Sequence, residues 1–119
     1  MDQAMATRLY HNSRCSKSRG ALELLRSRGI EPDVVFYLEQ PPSPDELREL
    51  LRMLGLPARA LLRTGEAAYT TLGLEDATLD DEALLQAMSQ HPALIQRPVF
   101  VHDGRAVIGR PPERVLELL

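Results

Sequence analysis

The sequence predicts an α/β fold built on one mixed sheet, with an all-helical insertion in the middle of the chain. Three observations carry this. Strand-like, helical and strand-like runs follow one another between Thr7 and Leu38. The stretch from Ser43 to His91 shows only helical periodicity. Near the C-terminus, two short apolar runs flank Asp103-Gly104, a two-residue hairpin signal.

In order, Thr7 to Tyr10 reads as a strand that ends at the polar turn His11-Asn12-Ser13. A helix from about Ser16 places Ala21, Leu22, Leu24 and Leu25 on one side and stops at Gly29. Asp33 to Leu38 is β-branched and aromatic over most of its length, the strongest strand signal in the chain. Strand, helix and strand at this spacing form a βαβ unit with parallel strands. Gln40 to Pro44 then breaks the chain, with Ser43 as N-cap, Pro44 at the first helical position and Glu46 at capping-box spacing. Leu47, Leu50, Leu51 and Leu54 continue at helical period up to Gly55. Arg59 to Thr64, Glu66 to Leu72 and Asp80 to Gln90 are three further helical pieces, the last with Asp80, Asp81 and Glu82 at its positive dipole end. Pro98 to His102 and Arg105 to Ile108 form the hairpin, and Pro111-Pro112 opens a closing helix, Glu113 to Leu119. The order β-α-β, helices, β-β-α is the thioredoxin/glutaredoxin order with a helical insertion.

The 119 residues suit a single domain, 1–119, with the insert at about 43–91. Composition is that of a globular protein, 44% hydrophobic and 26% charged, which excludes disorder, collagen and coiled coil. No apolar run approaches the roughly 20 residues needed to span a membrane. A net charge of −3 argues against general binding to nucleic acid or anionic membranes, so any attraction for an anion must be local. Met1 to Ala6 has neither a basic nor an apolar leader region, so no signal peptide is expected. One cysteine excludes an internal disulfide and a multi-cysteine metal cage, and a lone thiol suits a reducing cytoplasm.

Cys15 carries the chemistry. It sits where a strand hands over to a helix, facing unpaired N–H groups, with Arg14, Lys17 and Arg19 close by in sequence. Both features favour the thiolate, the nucleophilic form, and the same N–H groups suit a tetrahedral oxyanion. A buried, inert cysteine is the competing reading, and the charged neighbours weigh against it. Ser16 and Ser18 can cap the helix or bond the sulfur or an anion. His11, four residues upstream, can stabilise a thiolate as imidazolium or exchange protons when neutral. His91 and His102 have no metal-ligand spacing. Pro98 opens a strand after a helix, where this fold places a cis-proline facing the active thiol, and that geometry would bring Arg97 near Cys15. From the residues alone, Arg63, Arg97 and Arg110 have surface salt bridging as their default role.

The stretch from Tyr10 to Arg19 (YHNSRCSKSR) resembles the active-site motif of the glutaredoxin-dependent arsenate reductases. So do Tyr37-Leu38-Glu39 with the following prolines, Arg59 to Arg63, His91-Pro92 with Arg97-Pro98, and Gly109 to Glu113. The likeness runs from about Thr7 to Leu119 and is strongest to a branch with the form Arg-Cys-Ser-Lys-Ser-Arg. It implies a thioredoxin-like fold and reduction of arsenate to arsenite, with Cys15 as nucleophile and His11 helping to set its ionisation. It assigns the oxyanion to Arg63, Arg97 and Arg110, beside which Ser18 and Arg19 are further candidates. It further implies glutathione as co-substrate, glutaredoxin as partner, no bound cofactor or metal, and a monomer in the cytoplasm. Ser13 stands where the family usually has proline, which should loosen the turn before the thiol. Two other classes share the fold: a monothiol glutaredoxin-like oxidoreductase, and a redox-responsive adaptor or transcription regulator that binds RNA polymerase. Members of the latter group commonly carry a Cys-x-x-Cys motif; here Ser18 holds the second position.

Overall fold

In the computed structural model, which describes residues 6–119, β1 is Thr7–Tyr10 and α1 is Ser16–Ser27. The leader reading of Met1 to Ala6 lies, except for Ala6, outside the described residues. α1 keeps Ala21 and Leu25, one turn apart, fully buried on one face. β2 is Asp33–Val35, shorter than the predicted Asp33 to Leu38. A strand lasts only as long as its partner. β1 pairs Arg8, Leu9 and Tyr10 with Asp33, Val34 and Val35 in parallel, then leaves the sheet at His11. The His11 N–H closes the ladder on the Val35 carbonyl at 2.9 Å, and the Phe36 carbonyl accepts from Glu39 and Gln40 N–H in a turn. The alternation outlives the pairing: Tyr37 is fully buried, while Phe36 and Leu38 stay 44% and 42% exposed.

β3 (Val99–His102) runs antiparallel to β1, and β4 (Arg105–Ile108) runs antiparallel to β3. The turn residues Asp103 and Gly104 have φ of 58° and 81°, the positive values that a type I′ hairpin turn requires. The sheet order β2-β1-β3-β4 combines one parallel with two antiparallel pairings, the mixed sheet expected from the sequence. Leu9, Phe100 and Val107 from the strands pack with Ala21 and Leu25 of α1 and with Val115 and Leu118. Burying each large side chain in this core contributes roughly 1.5–3 kcal/mol. The closing segment is a 3-10 helix, Pro112–Leu118, rather than an α-helix. Three residues per turn put Val115 and Leu118 on the same face, and both are buried.

The Arg97–Pro98 peptide is cis, and so is Arg110–Pro111, which the sequence does not foreshadow. Gly109 follows β4, and a Cβ there would lie 2.9 Å from Pro98 Cγ and 3.1 Å from a Val115 methyl. Neither a proline ring nor a packed valine yields readily. Gly109→Ala should therefore cost about 1–3 kcal/mol, read from urea midpoints at unchanged m value.

β1 to β4, α1 and the closing helix form one compact unit, up to Gln40 and again over Arg97–Leu119; the other is Pro41–Gln96. The second unit is helical: α2 (Pro44–Leu54), α3 (Ala58–Leu61), α4 (Ala67–Thr71), α5 (Asp81–Gln90) and a 3-10 turn at Pro92–Leu94. Ser43 Oγ accepts from the Glu46 N–H at 3.1 Å, so the predicted cap forms; Asp80, expected within the first turn, instead caps α5, its Oδ1 accepting from the Ala83 N–H at 2.9 Å. α2 packs on α5, each turning its buried leucines inward, and Arg48 bridges Asp45 and Glu82 across the pair. α3 stops earlier than the predicted Arg59 to Thr64. Leu62 instead pairs with Ile95 as an isolated bridge, and the Arg63 N–H donates to the Leu94 carbonyl at 2.7 Å. Among the described residues, no helix is long and apolar enough to cross a membrane.

Candidate active site

The loop between β1 and α1 is held by Asn12. Its carbonyl accepts from the Cys15 N–H and its Oδ1 from the Arg14 N–H, both at 3.0 Å. Its own N–H donates to Ser18 Oγ at 3.1 Å. Asn12 is not among the residues that the sequence singles out, although asparagine at the head of a turn is the signal for such an Asx bond. Cys15 then enters α1 as its N-cap residue in extended conformation (φ −95°, ψ 122°) and is half-buried.

Burial alone pushes the Cys15 thiol up. The Ser18 and Lys17 backbone N–H groups push it down, as do an Arg97 hydrogen bond and the Arg97 charge; together they prevail, and the pKa falls below its ordinary value. No full cap bond forms between the side chain and the helix, so the N–H groups act on the sulfur mainly as oriented dipoles. The thiolate is therefore a larger fraction of the sulfur at neutral pH than in a free cysteine. Titrating thiolate ultraviolet absorbance against pH should give a midpoint below the ~8.5 of free cysteine. A midpoint at or above that value would restore the inert-cysteine reading.

His11 is 5% exposed, and its Nδ1 lies 2.6 Å from Ser18 Oγ. Burial lowers its pKa, and the charges of Arg26 and Arg19 lower it further, so the ring is neutral at pH 7. The imidazolium option is thereby removed. Ser18 Oγ accepts from the Asn12 N–H and shares a second hydrogen bond with His11 Nδ1, whose direction follows the tautomer of the ring. The ring meets Phe36 edge-on, with centroids 5.9 Å apart. Ser18 is fully buried, so its backbone rather than its hydroxyl serves the sulfur, a correction to the idea that the hydroxyl binds an anion. Arg19 Nη1 donates to the Ser13 carbonyl at 2.9 Å, so this exposed guanidinium braces the loop.

Arg97 and Arg110 lie together in the first unit. Arg110 Nη1 donates to the Arg97 carbonyl at 3.2 Å, and both side chains are half-buried. Arg63 belongs to the second unit. Its Nη1 lies 3.3 Å from Glu66 Oε1 without the alignment of a hydrogen bond.

A model of the ArsC family matches residues 10–118. The chain belongs to the ArsC family. It is 46% identical over 113 residues to an arsenate reductase of Neisseria meningitidis serogroup A, covering 94% of this chain and 97% of that one. It is 52% identical, again over 113 residues, to the uncharacterized protein YfgD of Escherichia coli K12, covering 94% and 95%. Among solved structures, an arsenate reductase from Vibrio cholerae superposes with a TM-score of 0.94 at 51% identity, covering 98% of this chain and all of that one. The fold is thioredoxin-like. In this ArsC chain the turn at Ser13 is closed by the two Asn12 bonds.

Proposed function

We propose that this protein reduces arsenate to arsenite with the Cys15 thiolate as nucleophile. The observation that carries the reading is the polarised sulfur at the start of α1, with two N–H groups and the Arg97 guanidinium lowering its pKa. The relatives named as arsenate reductases support the substrate. Cys15 attacks arsenic(V), an oxygen leaves as water, and a second thiol completes the reduction. The balance is simple. One dihydrogen arsenate anion, the Cys15 thiol and one external thiol give one dihydrogen arsenite anion, one water and a mixed disulfide between Cys15 and the external thiol. Arsenic gains two electrons, the two sulfurs lose one each, and the two thiol protons leave in the water. A second external thiol releases Cys15 by exchange. The chain's single cysteine makes the external thiol obligatory, and the family resemblance names it as glutathione, with glutaredoxin resolving the mixed disulfide.

Arg97 and Arg110 take the anion's charge, guanidinium forks being suited to tetrahedral oxyanions. Arg63 joins them on the family resemblance. His11 and Ser18 position the loop, and Pro98 joins Arg97 to the start of β3. The reading needs no bound cofactor or metal, and it places a monomeric enzyme in the cytoplasm. The test is arsenite formation with glutathione, glutaredoxin and their recycling enzyme. Disulfide exchange without arsenite would favour the monothiol oxidoreductase, and thioredoxin acting equally well without glutathione would overturn the electron supply.

A further inference from the structure

The thiol that completes the reaction must bind within reach of Cys15. A cavity of about 180 Å3 opens beside the loop that leads into it, with Asn12, Ser13 and Arg14 on one side and Phe36, Leu38 and Glu39 on the other. At about 30 Å3 per liquid water, it holds roughly six waters, or one amino-acid head group. Its lining carries one cation and one anion, and both side chains are exposed. Among the described residues, neither Arg14 nor Glu39 has an ion-pair partner, unlike Arg26, Arg48 and Arg52 elsewhere on the surface. Phe36 and Leu38 supply apolar wall at 44% and 42% exposure, an arrangement the sheet does not require. All of these groups lie in the first unit.

We propose that this cavity is the subsite for the thiol co-substrate, a zwitterionic peptide thiol whose ammonium group meets Glu39 and whose carboxylate meets Arg14. The assignment rests on the function proposed above for the need of such a thiol. An extended tripeptide spans roughly 10 Å and Arg14 is bonded directly to Cys15, so a thiol anchored by its charged end reaches the sulfur within its own length. Phe36, fixed edge-on against His11, packs along the ligand's aliphatic part.

The test omits arsenic, so it stands whether or not the chain reduces arsenate. Cys15 thiolate attacks glutathione disulfide: Cys15–S⁻ + R–S–S–R → Cys15–S–S–R + R–S⁻. One S–S bond breaks, one forms, and the leaving sulfur carries the charge away. The rate is followed as a mass shift and divided by the rate with uncharged hydroxyethyl disulfide, which cancels changes in thiolate reactivity. Glu39→Gln and Arg14→Gln should each lower this ratio about threefold to tenfold. Glu39→Gln is decisive. Glutathione disulfide is anionic, so long-range attraction alone predicts that removing an acid speeds the reaction, whereas the subsite predicts that it slows. A raised or unchanged ratio in Glu39→Gln overturns the proposal, as does an equal fall with both disulfides. A lowered ratio in a protein that forms no arsenite supports the subsite and overturns the arsenate reading alone.

Discussion

Cys15→Ser is expected to reduce arsenite formation by at least about four orders of magnitude, the scale seen when an acting nucleophile is removed. The N–H groups and the Arg97 guanidinium lower the pKa of the thiol, but an alcohol starts far too high for the same groups to ionise it. Structure should be little disturbed. The residue is half-buried, its side chain makes no full cap bond with the helix, and the loop is closed by Asn12 and not by the sulfur. Turnover and a thermal melt measured on the same preparation check both statements. A variant that keeps more than about one per cent of the activity would place the nucleophile elsewhere.

Arg97→Ala should lower kcat/KM about 10²- to 10³-fold, the scale for one oxyanion donor. It removes two things at once: a hydrogen bond and charge on the sulfur, and a guanidinium for the anion. The thiol midpoint should rise with the loss of activity. Arg97→Lys should recover charge but not the bidentate fork, and so only part of the rate. Arg110→Ala separates the two roles. Its guanidinium is bonded to the Arg97 carbonyl and does not figure in the ionisation of Cys15, so it should lower kcat/KM with little change in the midpoint. If Arg97→Ala leaves both rate and midpoint unchanged, Arg97 has no part in the site.

The boundaries of β1, the Asp-Gly hairpin and the Ser43 helix cap are legible in the sequence because each depends on residues adjacent in the chain. What is not legible depends on partners far along it. The run Asp33 to Leu38 has strand composition throughout, yet its length is set by the point at which β1 turns away after Tyr10. α3 ends at Leu61 because Leu62 and Arg63 find backbone partners at Ile95 and Leu94, more than thirty positions on. In the site, the thiol and its helix end are readable from local sequence. The neutral state of His11 is not, because it follows from burial and from the charges of Arg19 and Arg26 on α1. Arg14 and Glu39 are visible as residues but not as one cavity, since β2 must first lie beside β1.

The hairpin acts as a ruler for the site. Arg97 and Arg110 flank it, and their spacing follows from the register Val99 to Ile108, Phe100 to Val107, Val101 to Ala106 and His102 to Arg105, extended by the Gly109 N–H donating to the Pro98 carbonyl at 2.8 Å. That register is counted from Asp103 and Gly104 at the far end. One residue added to the turn would shift every later pairing and send the β4 side chains to the opposite face. Arg110 would lose its place over the Arg97 carbonyl although no residue near the thiol had changed. The separation of two positive charges at one end of the sheet is thus gauged by two small turn residues at the other.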